Sequence, residues 1–234
     1  MSTAVLPAEP PWRAGFRSAR ANLIPGFVLQ LVALAVLGAY YQHDSTRAAL
    51  NRLVAFRGEV GVIFPVLSTA FFGGILPALY FSRRRSTGVH FTWAQAAALT
   101  VFWGYKGFEI DLFYRMLARF VGTENDVATI AIKTSIDEFI YCPLLAVPVT
   151  VLFYDWVGAH FDTRVWVADI RRPGWFARKV LPLLISNFWV WVPTVCIIYA
   201  LPTGLQLPLQ NLVLCFYTLL VAHLSRRPSG QARP

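Results

Sequence analysis

The stretch "VGVIFPVLSTAFFGGILPALYF", Val60–Phe81, contains no charged residue. About 20 apolar residues at about 1.5 Å rise each reach across the roughly 30 Å of a bilayer's hydrocarbon core. Such a run is too long for a strand and too uniformly apolar for a half-exposed soluble helix. In hydrocarbon a backbone must satisfy its own hydrogen bonds, and a helix is how a single segment does so. Five further segments are long and predominantly apolar: Asn22–Tyr41, Phe91–Phe113, Ile130–Tyr154, Val180–Leu201 and Leu207–Leu224. Only 14% of the chain is charged, against about 25% in a soluble domain, and the mean hydropathy is +0.52. The expected architecture is an all-α, polytopic membrane helix bundle of about six transmembrane helices. Residues 22–224 form its one domain, between a tail at 1–21 and a basic tail at 225–234.

The net charge of +9 raises nucleic acid as a partner, but the basic residues gather at the ends of the apolar blocks. That is the pattern of membrane orientation. Placing both termini on the cytoplasmic side puts Arg13, Arg17, Arg20, Arg83–Arg85, Arg164, Arg171, Arg172, Arg178, Lys179, Arg226, Arg227 and Arg233 inside. Arg47, Arg52, Arg57, Arg115 and Arg119 fall outside, fourteen against five. No nucleic-acid partner is expected. The bilayer is the expected partner, with small solutes and a second copy of the chain as further ones. Arginine outnumbers lysine eighteen to three, as GC-rich coding produces, which points to a bacterial inner membrane, or to an organelle membrane if the source is eukaryotic. The N-terminal stretch lacks a basic region ahead of a short apolar core, so the first span is expected to stay as an uncleaved anchor.

Catalytic motifs are missing from the sequence. His43, His90, His160 and His223 are scattered, and there is no HExxH, GxSxG or P-loop. Asp155, His160 and Asp162 lie close together but read as a solvated loop. Cys142, Cys196 and Cys215 are odd in number, lack a CxxC pattern and read as small buried apolar residues. No enzyme, metal or cofactor is expected. Residues 42–59 place Leu50, Leu53 and Val54 at helical spacing, either an interfacial amphipathic helix or a loop helix.

The anomaly is "GYKGFEIDLFYRM", where Lys106, Glu109, Asp111 and Arg115 follow directly on an apolar run. A charge at the centre of a membrane costs about 2.5–3.5 kcal/mol on insertion scales. On a helix Lys106 and Glu109 are an i,i+3 pair, and Asp111 and Arg115 an i,i+4 pair on roughly the opposite face. A second group is Lys133, Asp137 and Glu138, with Lys133 and Asp137 in i,i+4 register. A hairpin through "VGTENDVAT" would bring Asp137 within reach of Lys106 or Arg115. Intramembrane charges face a bundle interior, where they pair or line a path. Prolines 25, 65, 77, 143, 148, 182 and 193 lie within the spans, each freeing a carbonyl. Pro143, Pro182 and Pro193 are the leading kink candidates.

Three of these segments resemble a known family. "KGFEIDLFYRMLARFVG" is similar to that family's Gly-Pro and aromatic-Tyr stretch at Gly107, Phe113, Tyr114, Leu117 and Phe120. "IDEFIYCPLLAVP" is similar to its Asp-to-Pro element at Asp137 and Pro143. "PLLISNFWVWVP" matches at Pro182, Val192 and Pro193, with Asn187 one position early, and Leu224 and Ser225 resemble its closing element. The family is that of Mpv-seventeen and peroxisomal-membrane-protein-twenty-two, small integral membrane proteins, and the likeness covers residues 60–225. Departures are Phe108 for Pro, Asp111 for a His-like position, Glu138 for Gln and Ile197 for Arg. The resemblance implies pore-like, weakly selective passage of small solutes. The leading expectation is therefore a channel or transport-related protein with the charged residues lining its interior. The alternative is a structural or assembly protein in which the same charges are packing elements, with a lipid-directed membrane enzyme behind both.

Overall fold

The computed structural model describes residues 10–83 and 91–224, with side chains to residue 219. Arg84, Arg85, His90, the first nine residues and the tail at 225–234, with Ser225, Arg226, Arg227 and Arg233, lie outside the described residues. Eight helices and no strand occur among the described residues. They are α1 (Pro11–Gln42), α2 (Asp44–Val60), α3 (Ile63–Arg83), α4 (Trp93–Phe120), α5 (Val127–Gly158), α6 (Thr163–Ile170), α7 (Phe176–Tyr199) and α8 (Thr203–Leu224). Four of them, α1, α3, α5 and α7, are long and apolar enough to cross a membrane. Helix α4 has the length but lies outside that set, its polar and charged residues lowering its mean hydropathy.

Local signals explain the boundaries. Helix α2 ends where Gly61 takes φ +64°, a left-handed turn open to glycine, and α3 follows at once. Thr92 and Gln95 close a capping box at the start of α4. Asp126 and Asp162 accept backbone N–H groups at the starts of α5 and α6. Three π-helical stretches interrupt the helices: Ala70–Ile75 in α3, Asp137–Ala146 in α5 and Phe176–Val180 opening α7. Each lies at or beside a proline, Pro77, Pro143 and Pro182 respectively. Proline lacks the N–H of the i→i−4 ladder and crowds the preceding turn, and an i→i+5 turn absorbs that local strain. Pro193 by contrast sits within the regular part of α7.

Helix α1 packs along α7, and α3 pairs with α4. Both contacts depend on small residues that let backbones approach. A Cβ on Gly26 would stand 2.8 Å from Val190, and one on Gly107 would meet the Pro65 carbonyl and stand 2.7 Å from Thr69. Helix α8 runs between the two pairs and touches α1, α2, α3, α4 and α7. Its Leu205, Leu209 and Val213 join Leu29 and Ala33 of α1, Ile110 and Tyr114 of α4, and Val195 and Ile198 of α7 in the main apolar core.

The distribution of polarity is inverted relative to a soluble protein. Ile24, Phe27, Leu67, Val101, Phe139 and Leu144 point outward, and Leu144 is 74% exposed. Arg57, Lys106, Asp111, Lys133, Asp137 and Glu138 are buried, none more than 5% exposed.

Candidate functional site

The buried charges fall into two groups on different sides of α4. The first is built around Asp111, which lies deep against α2. Arg115 donates from Nε to Asp111 Oδ2 at 2.8 Å, as the i,i+4 register requires. Its other oxygen pairs with the Arg57 guanidinium. Arg57 also donates to the Gly204 carbonyl at 2.5 Å and the Thr203 carbonyl at 3.3 Å, at the start of α8. One side chain from the short α2 therefore ties α4 to α8. Burial pulls the guanidinium below its ordinary value, and Asp111 opposes that pull. The charge count along the sequence puts Arg57 in an outer loop. The signal that places it inside is its spacing of three from Val54 and seven from Leu50, which puts it on the apolar face of α2.

The second group borders a half-open cavity of about 290 Å³ between α4, α5, α7 and α8, with Lys106, Asp137 and Glu138 in its lining. Lys106 Nζ donates to Glu109 Oε1 at 2.5 Å, the i,i+3 pair expected from register. The Tyr141 hydroxyl donates to the same oxygen at 2.5 Å, and the Tyr141 ring stacks on Phe113 at 4.0 Å between centroids. Glu109 Oε2 is buried without a hydrogen-bond partner among the described residues. Tyr114 donates to Gln210 across the cavity floor, joining α4 to α8.

Asp137 and Glu138 form the opposite wall with Cys142. Asp137 faces the same cavity as Lys106, but its close contacts lie elsewhere. Asp137 makes no ion pair with Lys106, Arg115 or Lys133 among the described residues; its Oδ2 accepts from the Tyr199 hydroxyl at 2.7 Å. Lys133 instead stands 5.8 Å from the centroid of the Tyr199 ring, a cation–π contact. Tyr199 of α7 thus takes up both members of the expected i,i+4 pair. Asp137 Oδ1 accepts from Cys142 Sγ at 3.8 Å. Glu138, 1% exposed, keeps its Oε2 without a hydrogen-bond partner among the described residues.

Ordinary helical register cannot bring Asp137 and Cys142 together, because five residues at 3.6 per turn lie on different faces. The π stretch Asp137–Ala146 widens the turn and places them on one side with Glu138. Pro143 within the span was the only sequence hint. The loop group Asp155, His160 and Asp162 does not converge: Asp155 pairs with Lys179 at 3.1 Å, His160 lies 3.5 Å from Gln95, and Asp162 caps α6. Cys196 and Cys215 are free thiols away from this wall.

The chain matches no family model, no curated protein and no solved structure. The functional reading therefore rests on the geometry of the chain itself.

Proposed function

We propose that the chain is a six-span integral membrane protein that passes small polar solutes through the cavity between α4, α5, α7 and α8. The observation that carries this reading is the inverted polarity: an apolar outer surface around a cavity lined by Lys106, Asp137 and Glu138. Charges at membrane depth are costly, and they are retained where they face a water-filled path or one another. In this reading α4 and α8 cross beside the four apolar helices. The charges of α4 are tolerated because every one of Lys106, Glu109 and Asp111 points to a partner inside the bundle. The positive-inside asymmetry supports, in this reading, both termini on the cytoplasmic side. The resemblance to the Mpv-seventeen and peroxisomal-membrane-protein-twenty-two family agrees with this reading in kind.

The test is conductance of purified protein in planar bilayers. The expected result is a conductance whose ion preference changes when Lys106→Gln or Asp137→Asn removes a charge from the cavity. Absence of conductance, or one indifferent to both substitutions, favours a second reading. In that reading the protein is a structural membrane component, and the clamp on Asp111, which closes both carboxylate oxygens, is the feature that supports it.

A further inference from the structure

We propose that Asp137, Glu138 and Cys142 form a binding site for a borderline divalent transition metal, Zn²⁺ being the type, which opens on the cavity. The three side chains present two carboxylate oxygens and one sulfur, all within 4.8 Å of one another. Bond lengths of about 2.0–2.2 Å to oxygen and 2.3 Å to sulfur put neighbouring ligands of a tetrahedral ion roughly 3.5 Å apart. Cys142 Sγ and Asp137 Oδ1 already stand at 3.8 Å. Side-chain rotation of about an ångström closes the remainder.

The independent observation is Glu138. Its Oε2 is buried, has no hydrogen-bond partner among the described residues, and belongs to a residue that lines the cavity. A carboxylate oxygen held there without a partner costs desolvation with no return. A cation entering from the cavity supplies that partner. The same cavity leaves space for a fourth ligand, a water or a solute group, which is the open position of a non-structural zinc site.

Ligand chemistry narrows the ion. Ca²⁺ takes six to eight oxygen ligands and Mg²⁺ a near-ideal octahedron of oxygens, neither of which a thiolate provides. One sulfur with two carboxylates suits Zn²⁺ or Co²⁺. The thiol proton of Cys142 leaves to solvent as the sulfur binds. Two carboxylates and a thiolate exceed a divalent charge by one, so the loaded site carries one net negative charge, facing across the cavity the Lys106–Glu109 pair. Tyr199, donating to Asp137 Oδ2, fixes the orientation of that carboxylate from outside the ligand set.

The inference goes beyond conduction, because binding is measured in detergent and needs no flux. The full chain, purified metal-free, is titrated with Co²⁺ and back-titrated with Zn²⁺. The expected result is one Co²⁺ per chain with a thiolate-to-cobalt charge-transfer band that Zn²⁺ displaces. Cys142→Ser abolishes the band, and Cys215→Ser keeps it. Tyr199→Phe weakens binding by about 10–100-fold, the usual range for an outer-shell partner, and Glu138→Gln by more than that. Glu138→Gln preserves side-chain shape and carries the test should Cys142→Ser fail to fold. No stoichiometric binding, a band that survives Cys142→Ser, or affinity unchanged in Glu138→Gln overturns the site.

Discussion

Arg57→Met removes the guanidinium that holds α2, α4 and α8 together. Asp111, 3% exposed, then keeps only the Arg115 contact at 2.8 Å, and the Thr203 and Gly204 carbonyls lose their donor. Breaking a buried ion pair from one side costs about 3–5 kcal/mol, mostly the penalty of the charge left behind. Arg115 remains beside Asp111, with its own side chain more than half exposed, so the low end of that range applies. A cost of about 3 kcal/mol lowers the folded-to-unfolded ratio roughly 150-fold. The partner change, Asp111→Leu alone, strands Arg57 in the same way. The double variant strands neither, and buried pairs replaced by apolar side chains are often neutral or better. It should therefore be more stable than either single variant, with a coupling of about 2 kcal/mol or more. Reversible unfolding in mixed micelles, followed through the chain's tryptophan fluorescence, measures all four proteins. A cost below about 1 kcal/mol for Arg57→Met, or a double variant no more stable than the singles, refutes the clamp.

Two further outcomes follow from local geometry. Gly107→Ala drives a methyl group into the Pro65 carbonyl and Thr69, so α3 and α4 must separate; overpacking of this kind costs about 1–3 kcal/mol or more, read in the same unfolding assay, while Gly38→Ala, with open space around it, costs far less. Hydrogen bonds from Thr129, together with the Ala128 backbone N–H, hold the Asp126 carboxyl below its usual range. A depressed folded value means the cap is complete above the ordinary carboxylate pKa of about 3.9 and is lost as pH falls through the folded value. The protection factors of the Ala128 and Thr129 amides, taken against the intrinsic exchange rate at each pH, should therefore stay constant from neutral pH down to that range and fall only below it, whereas in Asp126→Ala they are low throughout.

Much of the helical layout is legible in the sequence because apolar length and caps are local properties. The pairs Lys106–Glu109 and Asp111–Arg115 follow from register alone. What escapes such reading is non-local or off-register. Helix α1 begins at Pro11, eleven residues before the apolar block, because Gly15 and Ala19 pack in the bundle although Arg13, Arg17, Ser18 and Arg20 are interspersed with them. Arg57 looks like a loop charge until α2 folds against α4 and α8. Tyr199 lies 62 residues from Asp137, and nothing in either segment announces that the hydroxyl displaces Lys133 as its partner. The Cys142 wall requires a π turn, which a 3.6-residue period does not anticipate.

The cavity's part in solute passage is tested most directly at Ala146, which lines it beside Cys142. In a background with Cys142, Cys196 and Cys215 replaced by Ala, Ala146→Cys is treated with a charged, membrane-impermeant thiol reagent during bilayer recording. A path through the cavity predicts that modification sharply reduces the current and that the cysteine-free parent is unaffected. Current that persists unchanged after complete labelling, or no current from either protein, contradicts a solute path between α4, α5, α7 and α8.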